Sequence, residues 1–466
     1  MSDGLKPYPA YKPSGLPWLG EVPEHWEVER LKNRVSNVVE QTAVRESGEM
    51  YLALEHVESW TGRIRSPNSD ITFESQVKRF QAGDVLFGKL RPYLAKVTRP
   101  TQPGVCVGEF FVLRPRGASL RADYLEQLLR SSHVIEVINS STFGAKMPRA
   151  DWRFAGNLRL AYPPLPEQRA IARYLDHTDR RIRRYLRAKQ KLIALLQEQK
   201  QALIHRAVTR GLEPHVRLKP SGVEWLGKVP EHWEVVRLGS LLHERGETND
   251  DGTVTHVLSL LRDRGVIPYD EKGNIGNKKS EDISRYKIVR PNDIVVNCMN
   301  VIIGSVGLSL YTGCLSPVYY VLVRRSDSDD PHYLDAIFQC RSFHRSLVRI
   351  GNGILAHRMR IPMELLKCEL LPRPPAEEQA KIAHALAQMT RSCDYTISRA
   401  ESEIDLLREY RTRLIADVVT GKLDVREAAA SLPEAEEVEP PEEEPIDEPS
   451  AGNGMDETEE VADADD

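Results

Sequence analysis

An internal repeat constrains this chain more than any other feature. Residues 12–31, KPSGLPWLGEVPEHWEVERL, recur at 219–238 as KPSGVEWLGKVPEHWEVVRL, with 16 of 20 positions identical at an offset of 207. A second pair, PPLPEQRAIARYL from Pro163 and PPAEEQAKIAHAL from Pro374, holds at an offset of 211. That offset persists to LIHRAVTRGL (203–212) against LIADVVTGKL (414–423). The chain is therefore two half-units of about 210 residues, each with a Trp-rich opening motif, a variable block and a long terminal segment. A length of 466 residues agrees, since single cores rarely grow past about 250 to 300 residues. The blocks between, 32–160 and 239–371, share only a scattered framework: GDVLFGKLRPY against NDIVVNCMNVI, then FFVL against YYVL. The frame is duplicated and its contents are not.

The terminal segments carry helical periodicity. Ile171, Leu175, Thr178, Ile182, Tyr185, Lys189, Leu192, Leu196, Gln199 and Leu203 fall at alternating spacings of four and three, and the second half repeats the register from Ile382 to Leu414. Leu186, Ile193, Ile397 and Ile404 widen each stripe beyond a two-helix seam, as a helix packing on more than one neighbour requires, and are candidate contacts for partner subunits. Acids in the first turn (PEQ, AEEQ) and a stop near Gly211 or Gly421 bound each helix. About 43 residues make a rod of roughly 65 Å. Two such rods in one duplicated chain are expected to pack on each other with pseudo-two-fold symmetry. Thr178, Lys189, Gln199, Thr396 and Glu403 are weak seam residues. Either the seam is locally loose, or helices of partner subunits complete it.

In the variable blocks, strand-like runs such as YLALEHV, VCVGEFFVLRP and VYYVLV alternate with amphipathic helical stretches such as ADYLEQLLRSSHVIEVIN. Two mixed α/β globules follow. The expected divisions are a first globule over 1–162, a first helix over 163–212, a second globule over 213–373, a second helix over 374–424 and an acidic tail over 425–466. The uncharged stretch Ile294–Val323 is long enough to span a bilayer, but Asn297, Asn300, three glycines and Pro317 interrupt it, and its β-branched runs predict buried strands. No apolar segment opens the chain and its six cysteines are scattered without C-x-x-C pairs. We expect no membrane span, no disulfide framework, no metal site and a cytoplasmic location.

Charge separates along the chain. The net charge of −4 combines 17 acidic residues without Lys or Arg from Glu427 to the end with 64 basic and 51 acidic residues before it, a balance of +13. The tail's composition predicts disorder. The basic body points to nucleic acid. Lys89, Arg91, Tyr93, Lys96, Lys146 and Arg149 concentrate in the first block, with Lys78, Arg79 and Arg153 nearby. Phosphates need Lys or Arg, and guanine edges favour the same donors. In the second block the candidates are Asn297, Asn300, His357, Arg358 and Arg360, the asparagines being able to read adenine, with Arg262, Arg264, Lys278, Lys279, Arg285, Tyr286 and Lys287 adding to the basic set. Trp18, Trp26, Trp225 and Trp233 sit inside the opening motifs, where packing at the junction of globule and helix competes with contact to partner subunits. His25 and His232 read as packing or capping residues. The chain has no dinucleotide fingerprint, P-loop, nucleophile elbow or H-E-x-x-H, and Ala161-Tyr162-Pro163-Pro164 lacks the polar residue of an amino-methyltransferase tetrapeptide. No catalytic residue is assigned.

Tandem halves, each with W-L-G-x-V-P-x-H-W-E-V and P-P-x-x-E-Q-x-x-I-A-x-x-L, the first also with GDVLFGKLRPY, resemble the specificity subunit of type I restriction-modification systems over residues 12–423. The resemblance implies two α/β target recognition domains joined by two long antiparallel coiled-coil helices, reading an asymmetric bipartite sequence in double-stranded DNA. It further implies two docked methyltransferase subunits, which two restriction/translocase subunits can join. S-adenosylmethionine, ATP and magnesium would then belong to those partners, with no cofactor held by this chain. Lys89, Arg91 and Tyr93 match the family's K-L-R-P-Y element, whereas Cys298-Met299-Asn300 stand at that place in the second block. A coiled-coil scaffold for proteins and a stand-alone DNA-modifying enzyme are the competing readings.

Overall fold

The computed structural model describes residues 5–433 apart from 66–75, 145, 263, 274–277 and 353–358. Two long helices stand where the periodicity places them, Leu165–Arg210 with 46 residues and Ala376–Val419 with 44. Each opens directly after a Pro-Pro pair and is closed by a left-handed glycine, Gly211 at φ +74° and Gly421 at φ +80°. Glycine takes that C-terminal conformation without the Cβ clash another residue would meet.

The compact units do not follow chain order. One takes the chain up to Gln190 together with the segment from Ala400, and the other comprises Lys191–Arg399. Each unit thus holds one globule, the beginning of one long helix and the end of the other. Inside the first unit Asp179 pairs with Arg411 (2.5 Å) and Lys189 with Glu403 (2.6 Å), and inside the second Lys200 pairs with Asp394 (2.6 Å). Between the two pairs of the first unit one number rises as its partner's falls, so the helices run antiparallel there. Lys189 and Glu403, two of the weak seam positions, answer each other rather than leaving the seam loose.

Each globule is built on the same frame. In the first, a four-stranded antiparallel sheet runs in the order Val35–Val38, Phe110–Pro115, Val85–Gly88, Val97–Thr98. In the second, the order is Leu242–Glu244, Tyr319–Arg324, Ile294–Asn297, Val306–Leu308. A strand that follows the opening motif also pairs with the strand before the long helix in both units, Glu27–Arg30 with Arg159–Tyr162 and Glu234–Arg237 with Leu370–Arg373. The opening motif itself forms a two-stranded antiparallel pair in each unit, Tyr11–Leu16 with Gly20–Pro23 and Leu218–Pro220 with Lys228–Pro230, and the other strands diverge. In the first globule they join as one four-stranded sheet, Gln41–Thr42, Val77–Phe80, Gly104–Cys106 and Met50–Leu52, and in the second as two two-stranded sheets. The uncharged stretch Ile294–Val323 is strands, as its β-branched runs require, and no described helix is long and apolar enough to cross a membrane.

The main core of each unit runs from the opening motif through the frame sheet to both long helices. In the first, Val22, Trp26, Val85 and Phe111 meet Ile171, Leu175, Leu414 and Val418. In the second, Val229, Trp233, Ile294 and Tyr333 meet Val208, Ile382 and Leu386. One helix-face expectation is corrected here. Ile404 is buried within the chain and so unavailable to a partner, while Leu186, Ile193 and Ile397 are half-buried. The large apolar side chains exposed on the two long helices are instead Leu165, Tyr185, Leu192, Leu195, Met389, Tyr395 and Leu406.

Candidate nucleic-acid interface

The K-L-R-P-Y segment leaves the frame strand Val85–Gly88 and turns back into Val97–Thr98. Its backbone is pinned on both sides. The Lys89 amide donates to the Glu109 carbonyl (2.9 Å), its carbonyl accepts from Ala150 (2.8 Å), and the Arg91 amide donates to Pro148 (2.8 Å). Leu94 donates to Arg91 (3.0 Å) and Ala95 to Pro92 (2.8 Å), closing a short 3-10 turn over Pro92–Leu94. Arg91 and Ala95 stand at φ +49° and +48°, a region costly for residues with a Cβ. Such strain persists where the surroundings over-determine it, and it clusters at functional sites.

The second unit repeats this backbone with other side chains. The Asn297 amide donates to Ser305 (3.0 Å) as Gly88 does to Lys96 (2.9 Å), Ile303 donates to Asn300 (3.2 Å), Gly304 to Val301 (2.9 Å), and Ile361 to Cys298 (2.9 Å). Gly304, at φ +88°, takes the place of Ala95. Asn300 therefore occupies the position of Arg91, and Cys298 that of Lys89. The frame sets the loop; the residues it displays are free to differ.

Around the first loop the structure gathers part of the expected set. Arg149 bridges to both Leu90 and Phe143 through its backbone, and its guanidinium sits 3.3 Å from the Glu109 carboxylate. Lys146 and Tyr93 are exposed and Lys89 and Arg91 half-buried. Lys89 and Arg149 line a shallow depression with Phe111, Phe143, Met147 and Trp152. Phe143, Met147 and Trp152 escape a search for charge. The signal that could have found them is large apolar residues inside a short basic loop, STFGAKMPRADW.

Several basic residues are corrected by their partners. The Lys96 ammonium donates to the Leu54 carbonyl at 2.6 Å, and burial lowers its pKa, so it braces the globule instead of reaching outward. Lys78 does the same with the Phe110 carbonyl (2.7 Å). Arg79 lies among Glu46 and Glu49, Arg264 against Glu271, and Lys287 between Glu244 and the Tyr319 carbonyl. On the first helix Arg180 and Arg183 pair with Asp176 and Asp179 one turn away. Tyr286 is buried. In the second loop the Asn297 side-chain oxygen accepts from the Met299 amide (3.0 Å), capping the turn with one of its two lone pairs. Arg360 is exposed, its backbone paired with Asn352. His357 and Arg358 lie outside the described residues.

The opening motifs have a structural role. Glu167, in the first turn of its helix, accepts from the Tyr8 hydroxyl (2.6 Å) and the Trp26 indole (2.8 Å) and meets His25 Nε2 (2.7 Å). Glu378 meets His232 Nε2 at 2.8 Å in the second unit. The following glutamine is buried in both: Gln168 bonds the backbone of Ser119, Arg121 and Pro163, and Gln379 that of Asp330 and Pro374. The E-Q pair of the repeat is thus the clamp that holds each globule on its helix. Trp26 and Trp233 are fully buried, Trp225 is buried against Phe343 (ring centroids 5.2 Å apart), and Trp18 is half-buried against the first core. Contact with partner subunits through Trp26, Trp225 and Trp233 is ruled out by this burial. Packing at the junction of globule and helix accounts for them.

Among the described residues, no group of three or more His, Cys, Asp or Glu side chains could hold a metal ion. No family profile matches the chain. It is similar to two proteins of Methanocaldococcus jannaschii: the provisionally named type I restriction enzyme MjaX specificity subunit (23% identity, covering 88% of this chain and 96% of that protein) and the type I restriction enzyme MjaVIII specificity subunit (23%, 87% and 94%). One solved chain, described under complex assembly and conformational transition of the type I R-M system, shares the fold, with a TM-score of 0.64 at 19% identity over 86% of this chain and 99% of that one. The resemblance drawn from the repeated motifs is thus met by relatives of that name spanning nearly the whole chain.

Proposed function

We propose that this chain is the specificity subunit of a type I restriction-modification system, reading an asymmetric bipartite target in double-stranded DNA and carrying methyltransferase subunits on its helical frame. The observation that supports this most is the pair of backbone-equivalent loops with unlike side chains, Lys89-Leu90-Arg91-Pro92-Tyr93 and Cys298-Met299-Asn300-Val301-Ile302. A palindrome needs like reading heads; two different heads on one duplicated frame suit two different half-sequences. Lys89, Arg91, Tyr93, Lys146 and Arg149 are the contacts of the first head, and Asn300 and Arg360 those of the second. Methyl transfer with S-adenosylmethionine, and ATP-driven translocation and cleavage with magnesium, then fall to two methyltransferase and two restriction subunits. Co-expression with the cognate methyltransferase followed by methylome sequencing tests the proposal. One bipartite methylated motif is the expected result, and methyl transfer by the chain alone would contradict it.

A further inference from the structure

The first reading head ends in a side chain that charge does not explain. Phe143 is 77% exposed and Met147 56% exposed. Phe143 is followed by Gly144, which stands at φ +94°, and Met147 lies three residues further on. Fraying does not account for this exposure: the Phe143 carbonyl accepts from the Arg149 amide (3.3 Å), and Arg149 bridges in turn to Leu90, between Lys89 and Arg91. The ring is held beside the cationic loop by backbone bonds. Single exposed apolar residues are ordinary on protein surfaces. A large pair fixed at a loop tip beside Lys89, Lys146 and Arg149 is a different surface, one whose rim suits phosphate oxygens and whose point is apolar. The edges of a major groove offer one apolar group, the C5-methyl of thymine, and a Phe ring is among the side chains that pack on it.

We propose that Phe143 packs against a thymine C5-methyl in the half-site read by the first globule. This rests on the DNA-reading function proposed above. The contact selects thymine without a hydrogen bond and adds affinity that salt does not screen, whereas Lys89, Lys146 and Arg149 supply the screened part.

The test uses the assembled complex with its methyltransferase on duplexes carrying the methylated motif, in which each thymine of the first half-site is replaced by uracil, removing only the methyl group. One replacement is expected to weaken wild-type binding about three- to fivefold, the factor for one buried methyl-sized group. Phe143→Ala should weaken binding to the thymine duplex to a similar degree with an unchanged salt slope and should no longer distinguish uracil from thymine; Phe143→Leu should retain part of the discrimination. Uracil without effect at every position, a half-site without thymine, or full discrimination surviving in Phe143→Ala would each overturn the proposal. A rise in 2-aminopurine fluorescence on binding that Phe143→Ala abolishes, with no uracil effect, would overturn it in favour of a wedge between bases. Absence of any specific DNA binding by the wild-type complex would instead remove the underlying functional reading.

Discussion

The indole N–H of Trp26 donates to Glu167 Oε1 at 2.8 Å, joining the opening motif of the first globule to the first turn of a helix 141 residues later. The same carboxylate holds Tyr8 and His25, so one buried acid gathers three side chains. In the second unit Glu378 takes up His232, and the Trp233 indole nitrogen has no partner among the described residues. Glu167→Ala should therefore cost about 3 to 5 kcal/mol, the scale of breaking a buried network and leaving its donors unpaired, and Glu378→Ala about 1 kcal/mol. Hydrogen exchange read separately over the two units checks this; equal losses of protection would refute the asymmetry.

Helix closure gives a second contrast. A Cβ on Gly421 would lie 2.3 Å from Pro23 Cδ, whereas one on Gly211 would meet Glu378 and Trp233 at 3.1 and 3.2 Å. Both positions are left-handed, so alanine is strained at each, but the opening motif must move much further at Gly421 than at Gly211. Gly421→Ala should lower the melting temperature of the first unit by several degrees more than Gly211→Ala lowers that of the second, measured by scanning calorimetry.

Asp335 supplies a pH dependence. Burial pushes its carboxyl up to about 6 from an ordinary 3.8, and its Oδ1 has no partner among the described residues. Between those values the folded chain holds a proton that the unfolded chain has lost. The associated stability is present below about pH 4 and disappears as pH rises through 6. Asp335→Asn should stabilise the second unit by about 1 to 3 kcal/mol at pH 8 and leave it little changed at pH 4. Urea denaturation at the two pH values decides, and an equal effect at both would contradict the burial argument.

Lys189 and Glu403 meet inside the helical seam, each about one-third exposed. At that exposure the pair contributes little and hydrophobic burial is the stronger alternative. Lys189→Leu with Glu403→Leu should raise the melting temperature by a few degrees, while either change alone should be neutral or destabilising. A less stable double variant would show that the pair is worth more than its exposure implies.

Two lysine- and arginine-bearing positions of one loop should part company. Arg91→Ala is expected to weaken DNA binding by about 1 to 3 kcal/mol, as loss of a base contact does. Lys96→Met, which removes a bond to the Leu54 carbonyl, should change binding less than twofold and act on stability instead. Titrations at two salt concentrations, alongside melting curves, separate the effects.

Repetition and periodicity by themselves determined the duplicated frame, the two long helices and the glycines that end them, because each depends on local spacing that a sequence displays directly. The strands hidden in Ile294–Val323 were legible for the same reason. Tertiary structure decided which side chains remain available. Lys96 and Lys78 read as candidates for phosphate until Leu54 and Phe110 carbonyls are found beside them, Trp26 reads as a docking residue until the helix at the other end of the chain packs on it, and Ile404 does so until the fold buries it. Phe143 shows the converse, a ring that composition would bury and that backbone pairing with Arg149 holds in the open. A charge or an aromatic ring is a property of one residue, but its availability depends on neighbours brought to it from elsewhere in the chain, and only folding brings them together.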